Sequence, residues 1–344
     1  MISPVAWVRG RLGERGLALA VLVGLLALAV VPLVALPAVR CEVFGAGCRE
    51  PRPELRADPV AARKEPTPVE AATRGSYVAL GDSYSAGLGA EATVADKNPL
   101  ARCHRTSKAY YHEVARAFRF AKGTSFWACS GATITDFLNG RSGEPPQLGR
   151  ISPDTSLVTL SIGGNDVGFS QVLSGCVVKM PWSRRCTRQG EDVAGRMAEL
   201  RQSLPDLLDK ITARAPRARV VLMGYPKAFS EVSGVDGDNI TVDDQRWLNA
   251  RAYDLSRLIR ASAQEADARI AARNGQGSVE FVDAYSAFAG HEVGSRDAYM
   301  NGLLLNLSAF SAEPRSYHPT IAGQRALAGL FVEQIKKGPG RPLA

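Results

Sequence analysis

The chain has 344 residues, of which 45% are hydrophobic and 22% are charged, as expected for a globular protein with a sizeable core. Its formal net charge is +8, but the excess is scattered arginine without a basic block interleaved with aromatic residues. This pattern argues against nucleic-acid binding. It fits a solvated surface with some affinity for anionic lipid or wall polymers.

The first predicted element is an apolar run over residues 17–39, which follows Arg9, Arg11 and Arg15. Its length matches the ~20 residues that a helix needs to cross a bilayer, whereas a cleaved signal peptide has an apolar core of only ~7–15 residues. We favour a single-pass membrane anchor, with residues 1–16 in the cytoplasm, over a secreted protein whose signal sequence is removed. Residues 40–74 are rich in proline and charge, which is typical of a solvated linker.

The six cysteines indicate in which cellular compartment the protein folds. None lies in a Cys-x-x-Cys pair, so we expect no metal site. An even number at loop-like positions predicts three disulfides and an oxidising environment, which places the body of the protein outside the cytoplasm. Sequence alone leaves the pairing open, but proximity along the chain favours Cys41–Cys48 and Cys176–Cys186, which leaves Cys103–Cys129.

Strand and helix patterns alternate after residue 76. Short apolar runs bounded by turn residues predict strands over residues 77–80, 125–128, 157–162, 220–223 and 279–282. Between and after them, helical patterns cover residues 108–118, 193–213, 242–273 and 319–335. Such alternation predicts an α/β fold with parallel strands and helices on both faces. We expect one domain over residues 75–338, followed by a short tail over residues 339–344.

Distinctive residues follow three predicted strands and precede the last helix. Ser83 comes after the first strand, Gly131 after the second, Asn165 and Asp166 after the third, and His318 immediately before the last helix. Because the carboxyl ends of parallel strands share one edge of the sheet, the first three groups should converge there. The last helix can pack back beside the first strand and bring His318 to the same place.

Together these residues meet the needs of acyl transfer, which requires a nucleophile, a base and donors for an oxyanion. Ser83 supplies a hydroxyl and His318 an imidazole. The N–H groups of Ser83 and Gly131, with the side-chain amide of Asn165, are candidate donors. We expect the helix N-terminus beside His318 to lower its pKa and keep the imidazole neutral. Taken singly, each of these residues also suits an ordinary turn or helix cap.

These blocks resemble the SGNH, or GDSL, hydrolase family, and the resemblance covers residues 77–330. The matching segments are Gly81-Asp82-Ser83-Tyr84-Ser85, Gly131, Gly163-Gly164-Asn165-Asp166 and His318-Pro319. The resemblance implies a three-layer α/β/α fold with a flavodoxin-like sheet of about five parallel strands. It also implies a serine esterase or lipase that cleaves carboxylic esters through an acyl-enzyme, without a metal or other cofactor.

The cysteine-bearing layout is similar to that of the secreted actinobacterial lipase and esterase branch. In that branch, one disulfide staples the loop after the first strand and another staples the loop after the third strand. The similarity supports the pairs Cys103–Cys129 and Cys176–Cys186.

The chain departs from the family pattern at one position. Members usually carry an aspartate where this chain has Arg315, and that carboxylate would orient the imidazole. The Ser-x-His-Pro pattern is similar to that of members that use a backbone carbonyl instead, which implies this role for Ser316. We therefore predict a dyad of Ser83 and His318, with Asp283 as a weaker candidate for an orienting acid.

Two further acids near the predicted site, Asp82 and Asp166, are expected to be structural. Asp82 directly precedes the serine and is read as a hydrogen-bonding residue of the turn rather than as a triad acid. Asp166 directly follows Asn165 on the loop after the third strand.

The sequence also limits the substrate. Apolar residues of three loops, at 137–138, 167–169 and 287–315, are expected to line an acyl pocket. We expect an extracytoplasmic ester hydrolase with a monomeric body, acting on a small ester or lipid and bound to the membrane by its N-terminal helix. The alternatives are an O-acetylesterase of cell-wall glycans and a non-catalytic binding scaffold displayed on the membrane.

Overall fold

The computed structural model describes residues 4–35, 42, 65–90, 103–180, 182–233, 240–306, 308 and 311–343. The chain divides into two compact units, Met1–Lys64 and Glu65–Ala344. Helix α1 (Pro4–Ala35) belongs to the first unit and exposes apolar side chains such as Leu28. Within the described ranges, no helix combines the length and apolarity that a membrane crossing requires. This finding does not support the anchor predicted over residues 17–39.

A five-stranded parallel sheet forms the centre of the second unit. The strands lie in the order β2-β1-β3-β4-β5, which is the flavodoxin-like order. The fold predicted from the alternating pattern is therefore confirmed. The strands are β1 (Ser76–Gly81), β2 (Thr124–Phe126), β3 (Thr155–Ser161), β4 (Arg219–Met223) and β5 (Ser278–Val282).

Helices cover both faces of this sheet, and the alternation of side chains along the strands divides the core between them. The longer helices are α4 (Tyr110–Ala117), α6 (Phe169–Val177), α7 (Gly190–Arg214), α8 (Val242–Ala272) and α10 (Ile321–Lys337). The short ones are α2 (Pro68–Thr73), α3 (Ser83–Ala86), α5 (Ile134–Asn139) and α9 (Ala284–Ala287). A small antiparallel pair, β6 (Leu305–Asn306) and β7 (Ser311–Ala312), lies between α9 and α10 in sequence.

Successive strand residues pack into different clusters, as a buried parallel sheet requires. Tyr77 and Leu157 pack with residues of α4 and α10. Val78 and Val158 pack with residues of α7 and α8. The result is the three-layer arrangement of helix, sheet and helix that the family resemblance implied.

Both ends of the body differ from the boundaries expected from sequence. Helix α2 lies inside the predicted linker. A capping box of Thr67 and Glu70 stabilises its N-terminus, and its apolar side, including Ala72, is buried. At the other end, Arg341 binds Asp267 within the predicted tail. Both segments therefore pack as parts of the body.

The structure contains two of the three expected disulfides, Cys103–Cys129 and Cys176–Cys186. The first joins the segment before α4 to the loop after β2, and the second closes the loop that follows α6. The third expected pair, Cys41–Cys48, lies outside the described residues.

A buried ion pair ties the strands to both ends of the body. The guanidinium of Arg219 on β4 binds the carboxylate of Glu280 on β5 through two contacts, at 2.7 and 2.6 Å. Its remaining N–H groups donate to the backbone carbonyls of Pro68, Gln334 and Ile335. Every donor of this buried cation is thus satisfied, which is the condition under which a buried charge is tolerated.

Removing the anion of this pair should destabilise the protein strongly. In Glu280→Gln the cation stays buried without a counter-charge, so we expect the free energy of unfolding to fall by about 3–5 kcal/mol in urea titrations. The matched control is Asp209→Asn, because Asp209 pairs with Arg269 where both side chains are exposed (59% and 43%). Exposed pairs contribute about 0–1 kcal/mol. Equal losses in the two variants would contradict this account of the pair.

Candidate active site

Ser83 is the first residue of α3, on a tight turn directly after β1. Gly81 has a φ of 114°, and a Cβ there would lie 2.3 Å from the carbonyl oxygen of Ser161, so the turn requires glycine. The side-chain amide of Gln147 binds both the N–H and the carbonyl of Gly81, at 2.7 and 2.9 Å. Ser83 therefore lies on a turn whose backbone is fixed by Gln147 through both the N–H and the carbonyl of Gly81.

Asp82 holds the same turn through its buried carboxylate. It accepts hydrogen bonds from the N–H of Tyr84 at 3.0 Å, from Ser161 Oγ at 2.5 Å and from the hydroxyl of Tyr225. Burial raises the pKa of Asp82 to about 6, against the opposing effect of these hydrogen bonds. These contacts connect the turn after β1 to β3 and to the segment after β4.

The imidazole of His318 lies between a hydroxyl and a backbone carbonyl. Its Nε2 is 2.8 Å from Ser83 Oγ, and its Nδ1 is 2.9 Å from the carbonyl oxygen of Ser316. Because a carbonyl oxygen only accepts, Nδ1 carries the proton and Nε2 is left as the acceptor for the serine hydroxyl. The structure thus brings together Ser83, His318 and Ser316 as the sequence predicted.

The backbone around His318 is shaped to aim that carbonyl. Tyr317 has a φ of 56°, in the left-handed region that residues with side chains seldom adopt. The hydroxyl of Tyr84 donates to the carbonyl of Tyr317 at 3.0 Å, and Asn301 binds the carbonyl of His318 through both its N–H and its side-chain amide, each at 2.9 Å. These contacts hold the turn in its uncommon conformation.

Neither Arg315, which replaces the family's aspartate, nor Asp283, the weaker candidate for an orienting acid, is hydrogen-bonded to His318; both bind other partners. The guanidinium of Arg315 binds Glu313, with Nε at 2.8 Å from the carboxylate. Asp283 binds Arg260 at 2.5 Å and caps α9. The structure therefore does not bring Asp283 to His318, whose Nδ1 is already bound to a carbonyl.

The pKa of His318 is lowered from 6.5 to about 4. The direction is the one expected from sequence, but the cause differs. Burial of the imidazole is the largest contribution, and the hydrogen bond to the Ser316 carbonyl opposes it. Helix α10 begins only at Ile321, with Thr320 as its N-cap, so His318 lies two residues before the N-cap and not directly beside the helix N-terminus as expected.

The loops after β2 and β3 meet beside the serine. Asn165 borders the cleft at Ser83, and its side-chain amide donates to the carbonyl of Ala132 at 3.0 Å. Gly131, directly before Ala132, has a φ of 77°, and a Cβ there would lie 2.5 Å from the guanidinium of Arg141. The contact between Asn165 and Ala132 fixes the two loops against each other.

Asp166 strengthens this connection. One carboxylate oxygen accepts from the N–H of Ile134 at 3.0 Å, at the beginning of α5. Its other oxygen, Oδ2, is buried and has no hydrogen-bond partner among the described residues. Burial raises the pKa of this carboxyl. The contact with Ile134 is consistent with the structural role expected for Asp166.

Tyr225 is a site residue that the sequence reasoning missed. It follows β4, and its buried hydroxyl donates to Asp82 and accepts from the N–H of Gly164 at 2.8 Å. Its ring packs edge-on against Tyr84, whose own ring lies 5.1 Å from the ring of His318. The signal was available, because Tyr225 follows the fourth predicted strand at the same sheet edge as the other site residues.

The cleft beside Ser83 is small. Its volume within the described residues is about 30 Å³, whereas pockets for drug-sized ligands measure about 300–1,000 Å³. Phe169 and Leu173 of α6 form its apolar side. Phe137 and Val167, which we expected in an acyl pocket, are buried in the core instead. Residues 307, 309 and 310 of the third expected loop lie outside the described part.

Comparisons with known proteins agree with this geometry. Residues 79–326 match the model of the GDSL-like lipase/acylhydrolase family. The chain is 34% identical to Lipase 1 of Streptomyces coelicolor over 253 residues, which cover 72% of this chain and 82% of that protein. It is 32% identical to a lipase of Streptomyces rimosus over 252 residues, with the same coverage of both chains.

Two solved structures are similar over the whole body. The crystal structure of phospholipase A1 from Streptomyces albidoflavus NA297 has a TM-score of 0.64 and 33% identity, covering 77% of this chain and all of that one. The extracellular lipase from Streptomyces rimosus has a TM-score of 0.60 and 30% identity, covering 76% and 98%. The family resemblance seen in the four sequence blocks is thereby confirmed. The chain belongs to the GDSL-like lipase/acylhydrolase family and is a carboxylic ester hydrolase.

Proposed function

We propose that the protein cleaves lipid esters outside the cytoplasm, through an acyl-enzyme on Ser83 with His318 as general base. The observation that carries this proposal is the pair of contacts made by His318, from Nε2 to Ser83 and from Nδ1 to the carbonyl of Ser316. A nucleophile, its base and the group that orients the base are the parts from which such a site is recognised.

The reaction follows from these contacts. Ser83 Oγ attacks the ester carbonyl as its proton passes to Nε2 of His318, and the imidazolium then gives that proton to the leaving alkoxide. A water molecule repeats the sequence on the acyl-enzyme and releases the carboxylic acid. Throughout, Nδ1–H stays bonded to the carbonyl of Ser316, which keeps the ring in one tautomer.

Three donors would stabilise the oxyanion: the N–H groups of Ser83 and Gly131 and the side-chain amide of Asn165. Ser83 opens α3, so its N–H is one of the donors that a helix leaves without an internal partner. Among the described residues, neither this N–H nor that of Gly131 donates to another acceptor. Asn165 uses one amide hydrogen on Ala132, and the second remains for the substrate.

Two observations support a lipid ester as the substrate and a location outside the cytoplasm. The proteins named above as relatives are lipases, and the similar solved structures are a lipase and a phospholipase A1. The two disulfides of the body are the kind of bond that persists in oxidising compartments. The small cleft fits the ester group itself, and Phe169 and Leu173 give the adjoining acyl chain an apolar wall.

Covalent labelling tests the nucleophile and its base. A fluorophosphonate should modify Ser83 in the folded full-length protein, as located by mass spectrometry of peptides. His318→Ala should lower hydrolysis of p-nitrophenyl butyrate by about 10²–10⁴-fold, since general-base catalysis contributes on this scale. The matched control is Asp283→Asn, which should keep near wild-type turnover because Asp283 binds Arg260 instead.

Two results would contradict this scheme. If the folded protein is not labelled, it is a non-catalytic scaffold. If Asp283→Asn loses as much activity as His318→Ala, a carboxylate rather than a carbonyl supports the base.

The acid limb of the pH profile should lie unusually low. His318 acts as a base only when it is neutral, and burial lowers its pKa to about 4. We therefore expect kcat/KM for a soluble ester to fall as the pH decreases through about 4, with folding followed in parallel by circular dichroism. Asp82→Asn is measured alongside, because the pKa of Asp82 is raised to about 6. A limb near 6.5 in both proteins would show that the imidazole is solvated rather than buried.

Tyr225 should act as a positioning residue. In Tyr225→Phe, Asp82 loses a donor and the N–H of Gly164 loses its acceptor, which loosens the loop that carries Asn165. We expect kcat to fall by about tenfold, equivalent to about 1.4 kcal/mol, with little change in KM. Tyr253→Phe, on the exposed surface, is the control. A change confined to KM or to the free energy of unfolding would exclude a positioning role.

A further inference from the structure

One surface loop presents apolar side chains to solvent. A disulfide joins Cys176 to Cys186, and the described residues of the loop that it closes, 176–180 and 182–186, are here called the disulfide loop. Val178, Met180 and Trp182 on this loop are 63%, 55% and 78% exposed. Trp182 is the most exposed of the large apolar side chains that the structure describes. A cluster of this kind on a soluble surface is a mark of an interaction site.

The exposure of these apolar side chains results from ordered contacts within the loop and not from a flexible backbone. Lys179, between two outward-facing residues, points inward and binds Asp244 at 3.0 Å, with both side chains almost fully buried (1% and 6% exposed). The guanidinium of Arg185 donates to the carbonyl of Val178 at 3.2 Å. The disulfide, the buried ion pair and this hydrogen bond together hold the apolar side chains outward.

The exposed charges on the disulfide loop itself are positive. Arg184, Arg185 and Arg188 are exposed on and just after the disulfide loop. The sequence from residue 167 to residue 190 contains no aspartate or glutamate. Exposed tryptophan and aliphatic side chains next to arginine match the chemistry of an anionic lipid surface. The apolar side chains suit its acyl chains, and the arginines suit the phosphate groups that cover them.

The disulfide loop also adjoins the cleft. Helix α6 connects them, because Leu173 borders the cleft and Val178 lies five residues further on, about 8 Å along a helix axis. A surface hollow of about 390 Å³ lies alongside, lined by Ser170, which also borders the cleft, and by Arg185. A lipid surface in contact with the disulfide loop would therefore lie close to Ser83.

We propose that the disulfide loop is an interfacial anchor that binds anionic lipid surfaces. Val178, Met180 and Trp182 enter the acyl-chain region, and the exposed arginines contact the phosphate groups. The proposal rests on the proposed function in one respect, that lipid is the substrate for which the anchor serves. The insertion itself needs no hydrolysis.

Tryptophan fluorescence tests the insertion. The full-length protein and its Trp182→Phe variant are mixed with vesicles of phosphatidylcholine and phosphatidylglycerol whose acyl chains carry bromine, which quenches nearby tryptophan. The difference between the two proteins isolates the emission of Trp182, so binding by any other segment does not imitate the signal. We expect this emission to be quenched, and the quenching to be lost at high salt and in a variant with Arg184, Arg185 and Arg188 changed to Gln.

Activity on vesicles gives a second measurement. Met180→Ser/Trp182→Ser should lower lipid hydrolysis in vesicles by about tenfold or more, because binding scales with the apolar area that enters the lipid. Hydrolysis of soluble p-nitrophenyl butyrate should not change. The matched control is Tyr253→Ser, which removes an exposed aromatic side chain of α8 and should affect neither rate.

The outcomes separate this proposal from the proposed function. If the emission of Trp182 is not quenched by brominated lipid and stays open to aqueous acrylamide, the anchor is overturned, and a protein partner becomes the occupant to seek. If Trp182 is quenched but the wild type does not hydrolyse the soluble ester, the anchor stands and the proposed function fails.

Discussion

The hydrogen bond between His318 and the carbonyl of Ser316 is the contact on which the site depends. A carbonyl oxygen accepts a hydrogen bond but carries no formal charge, so it fixes the tautomer without placing a second ion in the buried site. The same neutrality gives the imidazolium less support than a carboxylate would, and burial then lowers the pKa of His318. The chain thus keeps its base unprotonated well below neutral pH.

Because a backbone carbonyl orients the base, the backbone around His318 must hold a particular conformation. Tyr317, between Ser316 and His318, has a left-handed backbone conformation, which costs about 1–3 kcal/mol in a residue with a side chain. Tyr84 and Asn301 hold that turn from the neighbouring segments. On the opposite side, Tyr225 and Asp82 connect the turn of the nucleophile to the loop before Asn165. Tyr84 belongs to both sets of hydrogen bonds, since its N–H donates to Asp82 and its hydroxyl donates to the carbonyl of Tyr317.

A buried ion pair stabilises the disulfide loop near the site. Lys179 and Asp244 form a nearly dry ion pair, and the neighbours of Lys179 are turned to solvent as a consequence. A rigid display of apolar side chains avoids the entropy of ordering a flexible loop when it binds. Helix α6 is common to both features, since it forms the apolar side of the cleft and leads into the disulfide loop. In this proposal, catalysis and attachment to lipid share one rigid element.

The alternating strands, the parallel sheet and the converging groups at Ser83, Asn165 and His318 were predictable from the amino-acid sequence, because these features depend on local periodicity and on the shared edge of parallel strands. The sequence also indicated the carbonyl of Ser316, through a short pattern. Three features required the folded structure: burial lowers the pKa of His318, Tyr225 joins two loops, and Phe137 belongs to the core rather than to a pocket. Those properties arise from contacts between segments far apart in the chain, which no local pattern encodes.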